Sequence, residues 1–172
     1  MPDIRSKYVT VVAHCHLNVN TKVHGLARHS GSNEALITRL VFEADGIVQL
    51  PCPEATYLGL SRWEMTYEQY DTPTFRRHCR DILRPIIDTL AVLSADGCTI
   101  QKVYGVDGSP SCGVDQTSRG YSEGGEIGGA VDTTALQQST RSPGRGVFME
   151  EFEALLAEAG LEVPFEGIDG RD

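Results

Sequence analysis

Three cysteines stand where an α/β protein does its chemistry. Cys15 follows the apolar run in "KYVTVVAHC", Cys52 follows "GIVQL" within "LPCPE", and Cys112 follows "TIQKVYGV" within "DGSPSCG". Each run reads as a short buried strand. If the strands are parallel, their carboxyl ends line one sheet edge, where ligands bind in open α/β folds. Topology would then gather three sulfurs that lie far apart in the chain. Three converging thiolates suit either Zn²⁺, with His14 or His16 as a fourth ligand, or an iron–sulfur cluster with one iron left open. Spacing alone does not choose between zinc and iron. Three buried small residues near strand ends are the reading without a metal.

The neighbours of these cysteines are suited to proton handling. Glu54, two positions after Cys52, is a candidate general acid–base. Ser109 and Ser111 flank Pro110 beside Cys112, where their hydroxyls would orient substrate or water, or stabilise a turn. Cys79 falls on the apolar face of a long helical pattern and reads as a small hydrophobe. Cys98 falls in a turn at the opposite end of the third strand and reads as inert. The segment 55–71 carries Tyr57, Trp63, Tyr67 and Tyr70 without clear periodicity. Trp63 or Tyr57 would offer a stacking platform for a flat heterocycle.

The elements that must position these residues follow from pattern. Val9–Ala13 reads as the first strand. "HSGSNEALITRLVFEADG" reads as a helix capped by Ser32 or Asn33 and stopped by Gly46. A long helix starts behind Asp71 or Thr72 with Pro73 in its first turn, and Pro85 is expected to kink or divide it. Residues 105–130 are glycine-rich and predict a loop or flap. A further helix begins near Gly146 and ends at Gly160, and "LEVPFEGI" predicts a last strand at an edge, because of Pro164. The tail 168–172 is expected to be flexible. This alternation predicts a single α/β domain over 1–172. It has an open, mainly parallel sheet with helices on both faces, in a Rossmann-like three-layer arrangement.

The 172 residues are 40% hydrophobic and 23% charged, as in a globular chain. The net charge of −9 disfavours long nucleic acids, whose binding depends on Lys and Arg. No stretch approaches a membrane span. The N-terminal apolar run is short and leads straight into patterned sequence, so no signal peptide is expected and the protein is placed in the cytoplasm. Five cysteines, an odd number, argue against a disulfide framework. Oligomeric state is left open between monomer and dimer.

"HCHLN", "LPCPE" and "GSPSCG", in this order and on this strand pattern, resemble the TudS-like desulfidases, the thiouracil desulfidase family. The resemblance covers roughly residues 8–113. It implies a [4Fe–4S] cluster held by Cys15, Cys52 and Cys112, whose free iron takes the sulfur of a small thiocarbonyl compound such as a thiolated nucleobase. The implied reaction is non-redox C–S cleavage that releases sulfide. For such a reaction the residues themselves offer Glu54 and Ser109 as catalytic candidates and Ser111, His14 and Trp63 as candidate substrate contacts. Two departures mark a divergent branch. Gln49, Leu50 and Pro51 occupy positions where the family carries an acidic residue before its second cysteine, and His14 and His16 surround Cys15. The alternatives are a zinc- or cluster-binding module that senses or stabilises without catalysis, and a metal-free ligand-binding domain. Against the last, no strand end carries a G-x-G-x-x-G or P-loop pattern.

Overall fold

The computed structural model describes residues 2–43, 45–120 and 139–169. Four parallel strands form the central sheet: β1 (Tyr8–Val12), β2 (Gly46–Gln49), β3 (Thr99–Asp107) and β6 (Phe165–Asp169), in the order β2-β1-β3-β6. Val9, Thr10, Val11 and Val12 are all buried, as expected of a strand covered on both faces. Alternate residues of β1 feed two cores. Val9 and Val11 pack with Phe75, Leu83, Leu90, Phe148 and Phe152, from α5 (Pro73–Ala95) and α6 (Val147–Glu158). Val12 packs on the other face with Leu36 and Leu40 of α2 (Glu34–Phe42). The result is a three-layer α/β architecture.

The order of crossovers decides where a ligand belongs. The chain leaves β1 to one side through α2 and β2. It then crosses back past β1 to lay β3 on the other side. β1 and β3 therefore flank a topological switch point, and the carboxyl-end crevice of an α/β sheet opens at such a point. The β1–β3 register slips between Val9↔Ile100 and Thr10↔Lys102, a bulge that leaves Gln101 as the extra residue.

Several local expectations are corrected. The segment 55–71 is not wholly irregular. It contains part of α3 (Pro53–Leu58), with Pro53 in its first turn, and α4 (Tyr67–Tyr70), started by a capping box between Thr66 and Gln69. Pro85 does not divide α5, which runs unbroken for 23 residues behind Thr72, whose hydroxyl accepts the Phe75 N–H. Pro85 faces solvent, and the Thr89 hydroxyl donates to its carbonyl at 2.8 Å.

The glycine-rich tract is only partly a loop. The Asp107 carboxylate accepts the N–H groups of Val114 and Asp115 and turns the chain back. β4 (Gln116–Arg119) then pairs antiparallel with β5 (Thr140–Pro143). Arg119 lies over the Tyr67 ring, 3.6 Å from its centroid, and ties this hairpin to α4. Residues 121–130 of the expected flap lie outside the described residues. Of the tail, Ile168 and Asp169 belong to β6 and pair with Val106 and Asp107, while 170–172 lie outside the described residues. Gly160, at φ +71, ends α6 in the left-handed conformation that glycine tolerates. Among the described residues, no helix is long and apolar enough to cross a membrane.

Candidate active site

Each cysteine is placed by the turn its chain makes on leaving a strand. After β1, the Ala13 N–H bonds to the Tyr104 carbonyl, and the chain turns into α1 (His14–Leu17), which carries Cys15. After β2, the Leu50 N–H extends the pairing to the Val12 carbonyl, and Cys52 becomes the N-cap of α3. Its Sγ accepts the Ala55 N–H at 3.4 Å. After β3, the loop 108–113 folds back on the strand, with Val106 N–H donating to the Cys112 carbonyl at 2.7 Å. The N-terminal turn of α6 seals this loop, because Phe148 and Met149 donate to the Ser111 carbonyl. The approach is so close that a Cβ on Gly146 would overlap the Ser111 backbone.

These three segments enclose a cavity of about 350 Å³ whose wall includes Cys15, Cys52, Cys112, Glu54, Ser109 and Ser111. All three cysteines are free thiols. Burial pushes the Cys15 thiol up to about 12. Burial also drives Cys112 well above the usual thiol range, with Cys15 and Cys52 adding to the effect, and it raises Cys52. A cation in the cavity reverses this preference, since a coordinating thiol loses its proton.

The polar wall is organised around Glu54. Its Oε1 accepts the Ser111 hydroxyl at 2.6 Å, and its Oε2 accepts Arg62 Nε at 3.0 Å. The Arg62 and Glu54 side chains are 4% and 12% exposed. Burial works against the Arg62 charge, but the neighbouring Glu54 raises its pKa overall. Tyr70 also belongs to this group. Its buried hydroxyl lies beside Glu54 and Arg62, and burial and the Glu54 charge raise its pKa.

The two serines differ. Ser109 Oγ accepts the N–H groups of Ser111 and Cys112, at 3.3 and 3.0 Å, and so shapes the turn. Ser111 Oγ reaches the carboxylate and lies 3.5 Å from Cys112 Sγ.

Other sequence candidates lie elsewhere. Trp63 is 76% exposed and is not part of the cavity wall, and neither His14 nor His16 lines it. His16 Nε2 donates to the Gly105 carbonyl at 3.0 Å. His14 Nε2 is buried without a partner among the described residues. Gln49, one of the positions where the family pattern calls for an acidic residue, donates to the His14 carbonyl at 3.1 Å and so holds backbone. Cys79 is fully buried in the α5–α6 core.

The donor set bears on which metal fits. Among the described residues, no group of three or more His, Cys, Asp or Glu side chains is drawn tightly enough to hold a single metal ion. Tetrahedral zinc needs all its ligands within bonding distance of one centre, and here the histidines are turned away from the cavity. In a multi-iron cluster each thiolate meets a different iron, so its sulfurs need not converge on one centre, and Cys15, Cys52 and Cys112 border one cavity.

Sequence reasoning missed Arg62. It lies in the segment between α3 and α4, and its partners Thr21, Glu54 and Gly59 form no local pattern.

No protein-family profile matches the chain. It is 36% identical over 111 residues to Uncharacterized protein MJ0003 of Methanocaldococcus jannaschii, an alignment that spans 64% of this chain and 70% of that protein. Among solved structures, it is similar to the [4Fe-4S]-dependent thiouracil desulfidase TudS (DUF523Vcz), with a TM-score of 0.49 and 20% identity, over 92% of this chain and 91% of that one.

Proposed function

We propose, given that this chain belongs to the family of Uncharacterized protein MJ0003, that it is an iron–sulfur-dependent, non-redox desulfidase acting on a small thiocarbonyl compound. One observation carries the reading: the three strand-end cysteines share a single cavity with a Ser111–Glu54 hydrogen bond of 2.6 Å. The "HCHLN", "LPCPE" and "GSPSCG" motifs that suggest the chemistry are the segments that build this wall.

Cys15, Cys52 and Cys112 would hold a [4Fe–4S] cluster, and its iron without a protein thiolate would supply a soft Lewis acid for the substrate sulfur. The chain's own residues manage the water and the protons. A cavity of about 350 Å³ suits a small ring. The Ser111 hydroxyl takes a proton from the attacking water while passing its own to Glu54 Oε1. The relay runs in reverse as the C–S bond breaks and returns that proton to the departing sulfur, while the second water proton leaves the new hydroxyl to solvent as it becomes C=O. One water is consumed, C=S becomes C=O, sulfur leaves as sulfide, and no electrons are gained or lost. Ser109 keeps Ser111 and Cys112 in register by accepting both their N–H groups.

The test is anaerobic reconstitution with iron and sulfide, followed by measurement of sulfide release from a panel of thioamides and thiolated bases. The expected result is about four irons per chain, with sulfide and oxo product formed in equal amounts. A fully loaded chain that releases no sulfide from any compound would overturn the proposal.

A further inference from the structure

The Arg62 guanidinium makes three hydrogen bonds, two to the α3 segment and one to the segment after α1. Nη2 donates to the Thr21 carbonyl at 2.7 Å, in the segment that follows Cys15. Nη1 donates to the Gly59 carbonyl at 3.1 Å, where α3 ends. Nε donates to Glu54 Oε2, and Glu54 Oε1 accepts the hydroxyl of Ser111, next to Cys112. The chain Thr21–Arg62–Glu54–Ser111 therefore connects the three segments that carry Cys15, Cys52 and Cys112.

The geometry also divides the carboxylate. Arg62 Nε occupies Oε2, and Ser111 donates to Oε1, so the two oxygens have different partners. A base oriented by a third group is the arrangement that activates a hydroxyl, and Arg62 occupies the orienting position. A side chain only 4% exposed is held in that position and does not sample solvent.

We infer that Arg62 is the positioning residue of this site: it fixes Glu54 against Ser111 and, in the same contacts, joins the three cysteine-bearing segments into one wall. Its catalytic meaning rests on the desulfidase reading, but its role in joining the segments does not.

Two measurements on Arg62→Met and Arg62→Lys test this. Hydrogen exchange on the metal-free protein should show faster exchange in Arg62→Met around residues 20–23, 54–60 and 109–113 together, with Arg62→Lys between it and the wild type. Faster exchange confined to residues 59–63 would overturn the inference. In the cluster-loaded chain, Arg62→Met should lower kcat at least tenfold with KM within twofold, and Arg62→Lys should recover part of the loss. A rise in KM alone would also overturn it, because a residue that merely supports the fold does not act on Glu54. If the wild-type chain releases no sulfide, the functional reading fails, and the exchange pattern still decides whether Arg62 joins the wall.

Discussion

His16 Nε2 sits 3.0 Å from the carbonyl oxygen of Gly105, and this bond fastens the helix that carries Cys15 to the end of β3. His16 is 5% exposed, so removing its ring breaks a buried hydrogen bond and leaves a void between α1 and β3. His16→Ala should therefore destabilise the protein by about 1–3 kcal/mol, the cost of a lost buried hydrogen bond and the cavity left behind. The iron content after reconstitution should not change. Chemical denaturation and an iron assay check the two halves separately, and loss of iron at full stability would make His16 a ligand after all.

The cysteines should separate into two groups under substitution. Cys15→Ala, Cys52→Ala and Cys112→Ala should each prevent stable cluster assembly, seen as loss of iron and of visible absorbance. Cys79→Ala should keep the iron and cost about 1 kcal/mol, because Cys79 fills part of the packed α5–α6 core. Iron retained by any of the first three would remove that residue from the ligand set.

Glu54→Gln preserves size but removes the acceptor charge that faces Ser111 and Arg62. It should lower kcat by about 10²–10⁴-fold, the usual range for a lost general acid–base, while the iron content holds. Ser111→Ala should fall in the same range, and the double variant should be little worse than either single one, since the two act as one relay. Rates of sulfide release from the three variants measure this directly.

Pro85 provides a test of the scaffold alone. It sits in the interior of α5, on the solvent side, where it withholds one N–H from the helix. Pro85→Ala should raise stability by about 2 kcal/mol. That is the roughly 3 kcal/mol helix penalty of proline, reduced by the greater freedom of alanine in the unfolded chain. The urea midpoint should rise with an unchanged slope, and sulfide release should be unaffected.

The sheet and the meeting of the cysteines were legible because both arise from alternation. Buried β-branched runs separated by helical periods imply parallel strands, and parallel strands bring their ends to one edge. Features made by distant partners could not be read. Arg62 acquires its role from Thr21, forty-one positions away, and Ser111 from Glu54, fifty-seven away. The β4–β5 hairpin is built from Gln116, Thr117, Ser118 and Arg119, polar residues with no apolar alternation to announce a strand. α3 escaped notice because its first turn depends on the Cys52 sulfur acting as a cap, which composition does not reveal. Trp63 looks like a platform by type, but its direction is set by the backbone between α3 and α4, which turns it outward.

Val9, Val11 and Val12 of β1 are taken up by the two cores, and Cys15, Cys52, Glu54, Ser111 and Cys112 hang from backbone that begins where the strands stop. The same connecting segments also carry core residues, Tyr67 and Tyr70 between β2 and α5 and Val114 between β3 and α6. Drift is therefore cheap only at outward positions such as Leu60 and Trp63, where the rim of the pocket can change without loosening the framework.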